Sequence, residues 1–221
     1  MADAATDTER ASSAPRAKGA RSGLTTVVLG IVVGIVLIGH GLAQRSDGPP
    51  EPPTAASVFA DDGAPTADPM ERSVPTRVRI PAIGVNAAMM PLEASASGEL
   101  AVPPPDKADM AGWHDGGVTP GQLGTAVVLG HVDSRDGPAV FYDLGRLRKG
   151  ATIEVARKDG RTAVFTVYGI DMYDRTSFPS KQVYTDAHRP ELRVITCGGT
   201  FTPGTGYSSN VVVFARLTAG R

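Results

Sequence analysis

The chain has 221 residues, a formal net charge of -1, 26 glycines, 18 prolines and few aromatic residues. This length suits one ordinary domain with appendages. The near-neutral charge lacks the basic footprint of a nucleic-acid-binding protein, so no nucleic-acid partner is expected. Abundant glycine and proline favour turns and short strands over a helical bundle.

The N-terminal region divides into a polar tail and an apolar run. Residues 1–22 are rich in Ala, Ser, Thr and Arg without apolar periodicity, which predicts a disordered cytoplasmic tail. Residues 23–43 contain no charged side chain, and about 20 such residues cross a hydrocarbon core of about 30 Å. A cleaved signal peptide is the alternative, but its apolar stretch is usually only about 7–15 residues long. We therefore expect a retained, single-pass transmembrane anchor.

The charges that flank this run predict its orientation. The basic side chains of the tail are Arg10, Arg16, Lys18 and Arg21. After the run, Arg45 is soon followed by Asp47 and Glu51. Because positive charge stays in the cytoplasm, the N-terminus is expected in the cytoplasm and everything after residue 44 outside it. The only cysteine, Cys197, would then be extracytoplasmic, where a lone thiol is unusual enough to suggest reactivity.

The rest of the chain predicts a spacer and one folded domain. Residues 44–74 are proline-rich and acidic, which is typical of a semi-extended extracytoplasmic linker. Residues 75–221 remain for a domain that can bury roughly two-thirds of its unfolded surface.

Strand patterns dominate this predicted domain. Short apolar or alternating runs predict strands at residues 77–80, 125–129, 152–155, 162–170, 192–197 and 210–217. Lys158–Arg161 contains an Asp-Gly pair and predicts a hairpin turn. Weak periodicity over 136–149 predicts one short helix. Short strands with few helices indicate a mainly β protein with a closed or nearly closed barrel.

Two side chains at strand ends are candidates for chemistry. Cys197 and His131 each end an apolar strand, where a rigid element can present a nucleophile and a base. From the residues alone, Cys197 is either a nucleophile or a buried filler. Of the other histidines, His40 lies in the apolar run, His188 in a polar loop where we expect solvation, and His114 in a glycine-rich stretch.

These residues also resemble a known family. Thr125–His131, TAVVLGH, resembles the TxxxxGH strand end of sortases, and Val194–Cys197, VITC, resembles their LxTC strand end. The order also matches, with His first, Cys 66 residues later, and then a last strand that begins at Asn210. CGGTF followed by YSSN is similar to class F sortases of actinobacteria. The resemblance covers roughly residues 75–217.

The resemblance implies a closed, eight-stranded sortase-type β-barrel with one or two short helices and no cofactor. It implies a membrane-bound cysteine transpeptidase that cleaves an LPxTG-like sorting signal near the C-terminus of a secreted protein. Cys197 would form the acyl thioester. His131 would be the general acid toward the leaving amine and then the base for an amine of a cell-wall precursor.

One position departs from the best-known sortases. They have an arginine thirteen residues after the cysteine, where this chain has Asn210. Asparagine offers one neutral NH₂ group in place of two charge-assisted donors. Asn210 is therefore either a weaker substrate or oxyanion contact or simply the start of a strand. Arg175, Arg193 and Arg216 are the other arginines that could reach the site, and a solvated surface role is the alternative for each. Thr196 is a further candidate oxyanion or substrate contact.

Three residues near the candidates have two interpretations each. Asp133 and Ser134 could orient the His131 imidazole, or they could be ordinary turn residues. Trp113 could flank a substrate groove, although packing in the core is the better interpretation. No His, Cys and Asp cluster has metal-ligand spacing in the sequence, so no metal is expected.

Two other functions remain open at this stage. The domain could be a non-catalytic envelope module that binds peptides on a sortase-like barrel. It could also be a hydrolytic cysteine protease, if water resolves the thioester in place of an amine.

Overall fold

The computed structural model describes residues 48–53, 65–93, 101–185 and 187–221. Among these residues, no helix is long and apolar enough to cross a membrane. The predicted tail and the predicted anchor at 23–43 lie outside the described residues, so both stay predictions.

The described residues form ten strands and one short α-helix. The strands are β1 Pro75–Ile80, β2 Val85–Leu92, β3 Ala111–His114, β4 Gly124–Leu129, β5 Asp133–Ser134, β6 Gly137–Pro138, β7 Thr152–Arg157, β8 Thr162–Asp174, β9 Pro190–Thr202 and β10 Gly206–Gly220. The helix α1 spans Ser180–Tyr184, in the connection between β8 and β9.

Eight of these strands close into a barrel in the order β1-β2-β3-β4-β9-β10-β8-β7. The barrel closes because β7 pairs with β1. The pairs β2–β3 and β4–β9 are parallel, and the other neighbours are antiparallel. Strands β5 and β6 form a separate two-stranded hairpin. The prediction of a mainly β, closed eight-stranded barrel is confirmed.

The core has two parts because successive residues of a strand point to opposite faces. Inside the barrel, the largest fully buried side chains include Ile80, Val128, Phe165, Leu192 and Leu217. A second apolar group, the outer-face cluster, consists of Leu92, Val127, Leu129, Val183, Ile195, Val212 and Phe214. Residues of the β8–β9 connection, including Val183 of α1, cover this cluster. Strands β4, β9 and β10 are therefore buried on both faces along part of their length.

All six predicted strands run longer in the structure at one or both ends, and 125–129 is extended by Gly124 alone. The predicted hairpin at Lys158–Arg161 joins β7 to β8, with Gly160 at a φ of 82° that favours glycine. The predicted helix at 136–149 is wrong. Gly137 and Pro138 pair with β5 instead, and the following residues bury Phe141, Leu144 and Leu147 through successive turns and a 3-10 turn.

Part of the segment assigned to the linker packs on the barrel. The Ala67 N–H donates to Leu217 O over 3.0 Å, and the Met70 N–H donates to Gly121 O over 2.8 Å. The Met70 side chain is buried in the core. The packed chain therefore begins before residue 75, while residues 54–64 of the linker lie outside the described part.

Candidate active site

Strand pairing brings His131 and Cys197 to the same end of the barrel. In the parallel pair β4–β9, Leu129 lies opposite Ile195. Just past the end of β4, the Gly130 N–H donates to Ile195 O over 3.2 Å. His131 and Cys197 each follow two residues after the pair Leu129–Ile195, so the register of the two strands brings their positions level. Neighbouring strands lie about 4.8 Å apart.

The same row continues across two more strands. Cys197 pairs with Asn210 of β10, and Asn210 pairs with Tyr173 of β8. We call His131, Cys197, Asn210 and Tyr173 the active-site row. Directly opposite residues have Cβ atoms about 4.5–5.5 Å apart, so Asn210 can reach a substrate atom that sits on Cys197. Sequence reasoning missed Tyr173, because no local motif marks it.

Cys197 lies on the outer face of the barrel and is exposed. It has the same strand parity as Ile195, which belongs to the outer-face cluster. The thiol therefore lies where the covered part of the outer face gives way to solvent. A nucleophile must be accessible in this way, and a buried filler is not, so the filler interpretation of Cys197 is wrong.

Thr196 has the opposite parity and is buried. Its Oγ1 donates a hydrogen bond of 2.8 Å to Gly130 O. This bond fastens the middle of β9 to the residue just past the end of β4, one residue before each candidate. The hydroxyl thus holds the two chain segments together, and a substrate contact by Thr196 stays a prediction.

Gly130 permits the close packing beneath His131. A Cβ atom at this position would lie only 2.5 Å from Cδ2 of Phe141 and 2.7 Å from Cγ1 of Val140. Real Cβ atoms do not approach other atoms so closely, so the strand end needs glycine here. The backbone of His131 is held in turn, because its carbonyl accepts from the Phe141 N–H over 3.0 Å.

The surroundings of Cys197 raise the pKa of its thiol. Desolvation by neighbouring atoms is the main cause, and the Asp133 carboxylate adds to it, while the Arg175 guanidinium acts in the opposite direction. The resting side chain is therefore a protonated thiol at neutral pH. A thiolate is the nucleophile in such chemistry, so a nearby base has to accept the proton.

Of the three arginines considered from the sequence, Arg175 is the one whose charge acts on Cys197. Its Nη1 donates to Tyr207 O over 3.3 Å and to Thr205 O over 3.4 Å, in the β9–β10 hairpin. Arg193 and Arg216 are instead buried on the covered part of the outer face.

Asp133 accepts a hydrogen bond from the Tyr207 hydroxyl over 2.5 Å. This bond ties the loop after His131 to the hairpin after Cys197. The Tyr207 ring also packs edge-on against Phe201, with centroids 5.2 Å apart. Ser134 makes turn contacts, since its Oγ accepts from the Asp136 N–H over 3.1 Å. The turn interpretation of Ser134 is confirmed, and Tyr207 was missed.

The His131 ring makes a short contact with the main chain. Its Nε2 lies 2.6 Å from the carbonyl oxygen of Pro103. In the described part of the chain, no hydrogen bond joins the ring to the Cys197 thiol. The ring borders a cavity of about 550 Å³ that is also lined by Asp106, Asp133 and Asp136.

The remaining sequence candidates lie away from this row. Trp113 is buried in the barrel core, which confirms the packing interpretation. His188 is exposed, as expected for a solvated loop residue, and His114 is half-buried in β3. His40 falls outside the described residues. Within the described ranges, no three His, Cys, Asp or Glu side chains are grouped as metal ligands.

Comparison with known proteins gives one family. The family model of the sortase domain matches residues 78–218. Sortase A of Listeria monocytogenes is 19% identical, with 68% of this chain and 90% of that chain covered and a TM-score of 0.49. Sortase C of Streptococcus pneumoniae is 20% identical, with 68% and 71% covered and a TM-score of 0.50. Sortase A of Corynebacterium diphtheriae is 19% identical, with 67% and 62% covered and a TM-score of 0.48. No curated protein matches the chain.

Proposed function

Because the chain belongs to the sortase family of cysteine transpeptidases, we propose that it cleaves an LPxTG-like sorting signal and joins the carrier protein to an amine. The observation that supports this proposal is the alignment of β4 with β9, in which His131 and an exposed Cys197 each follow two residues after the pair Leu129–Ile195. The carrier would be a secreted protein, and the acceptor an amine of a cell-wall precursor.

The reaction has two stages. Cys197 Sγ gives its proton to His131 and attacks the carbonyl carbon of the scissile peptide bond, forming a thioester. The C–N bond breaks, and the leaving amine takes a proton from His131. The incoming amine then gives a proton to His131 as it attacks the thioester. The C–S bond breaks, and the departing sulfur takes this proton from His131, which restores the thiol and the neutral ring.

Asn210 is the proposed contact for the developing oxyanion or for a substrate carbonyl. It lies directly opposite Cys197 and is half-exposed. Its NH₂ group is a neutral donor, so the stabilisation is weaker than that from a charged donor. Arg175 adds positive charge near the sulfur, while Asn210 remains the residue directly opposite Cys197.

The cellular setting is part of the proposal. The apolar run at 23–43 would anchor the protein in the cell membrane by a single pass, with its N-terminus in the cytoplasm. The barrel would then work outside the cytoplasm at the end of the linker. The stretch from Cys197 to Phe201 and the following YSSN support assignment to class F, the type found in actinobacteria.

Peptide cleavage tests the reaction. The full chain, solubilised in detergent, is incubated with a fluorogenic LPxTG peptide in the presence and absence of a glycine peptide as acceptor. We expect cleavage in both cases and an amide-linked product only with the acceptor. Cys197→Ala should abolish cleavage, at least about 10⁴-fold, without lowering the thermal unfolding midpoint, because the residue is exposed.

Other outcomes identify the alternatives. Free carboxylate as the sole product at every acceptor concentration would make the protein a hydrolytic protease. Binding without cleavage across a broad peptide library would make it a peptide-binding module. Cleavage that survives in Cys197→Ala would exclude a thioester at this residue.

A further inference from the structure

The contact between His131 and Pro103 determines which ring nitrogen of His131 carries a proton. The Pro103 carbonyl oxygen lies 2.6 Å from Nε2. A carbonyl oxygen can only accept a hydrogen bond, so Nε2 must carry a proton whenever this contact is made. In the neutral ring, the single proton is then on Nε2 and Nδ1 has a free lone pair.

We propose that the Pro103 carbonyl is the positioning group of the catalytic histidine, and that it leaves Nδ1 as the atom that exchanges protons with thiol and amine. This inference rests on the proposed function of His131. In the protonated ring, Nδ1–H donates to the leaving amine. The ring that remains is neutral with its proton on Nε2, so the next transfer needs no change of tautomer.

The segment that supplies this carbonyl is stiff. Pro103 is buried and is followed by Pro104 and Pro105. Each proline ring holds its own φ near -65°, and a following proline confines ψ of the residue before it to the extended range. The direction of the Pro103 carbonyl is therefore restricted by the sequence itself. Pro104 has φ -55° and ψ 149°, which agrees with an extended proline segment.

The far end of the segment is fastened to the same loop region as His131. Beyond the prolines, the Ala108 carbonyl accepts from the Val140 N–H over 3.0 Å. The next residue, Phe141, donates its N–H to the carbonyl of His131. Acceptor and ring are thus attached to one short piece of chain, which keeps their separation constant.

The side chains expected from the sequence to orient the ring are engaged elsewhere. Asp133 accepts from the Tyr207 hydroxyl, and Ser134 makes turn contacts. Carboxylates do border the same cavity as the ring, namely Asp106, Asp133 and Asp136. They are the competing candidates, so the test has to separate them from the carbonyl.

The tautomer can be observed directly, because the chain contains only four histidines. The full chain is labelled with ¹⁵N-histidine, solubilised in detergent and examined by long-range ¹H–¹⁵N correlation at alkaline pH, where imidazoles are neutral. His131→Gln identifies the signals of His131. We expect an Nε2 with a bound, slowly exchanging proton and an unprotonated Nδ1. A protonated Nδ1, or signals averaged between two tautomers, would overturn the proposal.

A matched pair of proline variants tests the role in catalysis. Pro104→Ala removes the restraint on ψ of Pro103, while Pro105→Ala frees only the next residue and serves as control. We expect Pro104→Ala to broaden or shift the His131 ring signals and to lower kcat about tenfold, a part of the ~10²–10⁴-fold that acid–base catalysis contributes, with KM unchanged. The control should leave both readouts unchanged.

The outcomes separate this inference from the proposed function. If the wild type transfers peptide to amine but Pro104→Ala changes neither spectrum nor kcat, the positioning role of the carbonyl is wrong and the function stands. If Asp106→Asn or Asp136→Asn shifts the ring signals instead, a carboxylate orients the ring and the proposal fails. If the spectrum is as expected but no peptide is cleaved, the tautomer assignment stands and the proposed function fails.

Discussion

Within strand β9, the two ends of the segment Glu191–Cys197 present side chains on the same outer face and differ in how they handle charge. At the first end, which we call the closed end, the Glu191 carboxylate accepts from Arg189 over 2.6 Å, from Arg193 over 2.6 Å and from the Tyr168 hydroxyl over 2.8 Å. At the other end, which we call the open end, Cys197 is exposed, with Arg175 and Asp133 acting on it in opposite directions.

The pKa shifts of the two groups record this difference. Burial of Glu191 favours its neutral form, but Arg193, Arg189 and the Tyr168 hydroxyl outweigh burial and lower its pKa. The Cys197 thiol has no such surplus of positive charge, so desolvation prevails and its pKa is raised. The closed end is therefore an ionic cluster with partners for every charge. The open end keeps a neutral thiol, which in the proposed reaction becomes a nucleophile when a base removes its proton.

Replacement of His131, the proposed base, should give the largest effect. His131→Gln removes proton transfer while keeping a side chain of similar polarity, so we expect kcat to fall by about 10²–10⁴-fold. The free energy of unfolding should change little. Peptide cleavage and chemical denaturation measure the two quantities, and His188→Gln, at an exposed position, is the control. An unchanged kcat in His131→Gln would show that His131 is not the base.

At the closed end, the effect should appear in stability. Arg193→Met leaves the buried Glu191 with fewer partners, and breaking a buried pair costs about 3–5 kcal/mol of unfolding free energy. The activity of the folded fraction should be retained. Urea denaturation measures the loss, and Arg146→Met, which breaks an exposed pair with Asp143, should cost less than about 1 kcal/mol.

The same variant has a pH signature. The pKa of Glu191 is lowered in the folded state, so its contribution is present at neutral pH and is lost in acid as the carboxylate takes up a proton. The stability gap between wild type and Arg193→Met should therefore shrink as the pH falls. A gap that grows in acid would contradict the assigned ion pair.

The two charges at the open end should shift the Cys197 thiol in opposite directions. Arg175→Gln removes the positive charge that lowers the pKa, so thiolate should form at higher pH. Asp133→Asn removes a charge that raises it, so thiolate should form at lower pH. The pH dependence of iodoacetamide alkylation measures both, and Cys197 is the only thiol in the chain. If the pKa of the thiol shifted in the same direction in both variants, the effect would come from a change in structure and not from the two charges.

The smallest effect is expected at Asn210. Asn210→Ala removes one neutral hydrogen bond, worth about 0.5–1.5 kcal/mol, so kcat/KM should fall by roughly two- to tenfold. The fold should be unchanged, because the β10 backbone keeps its ladder. The unfolding midpoint is the control that the variant is folded. Full activity in Asn210→Ala would show that this residue has only a structural role in β10.

The sequence predicted those strands whose apolar or alternating runs are local. It missed β2, whose VNAAMMPL lacks regular alternation, and β3, whose AGWH contains a glycine. It predicted a helix at 136–149 from apolar spacing alone, although that spacing serves a series of turns. The true helix α1 has only five residues and is held because Val183 packs in the outer-face cluster.

The sequence by itself determined the chemical types: one thiol and one imidazole, each at the end of an apolar run. The expected strand end at Cys197 is wrong, because β9 continues through Gly198 and Gly199 to Thr202. Only the tertiary structure determined which residues neighbour the thiol and the imidazole. Barrel closure sets the register that aligns Asn210 and Tyr173 with Cys197. The packing of distant loops brings Pro103 to His131 and Arg175 to the β9–β10 hairpin. Local propensity cannot encode such contacts, because they depend on pairings between residues far apart in the chain.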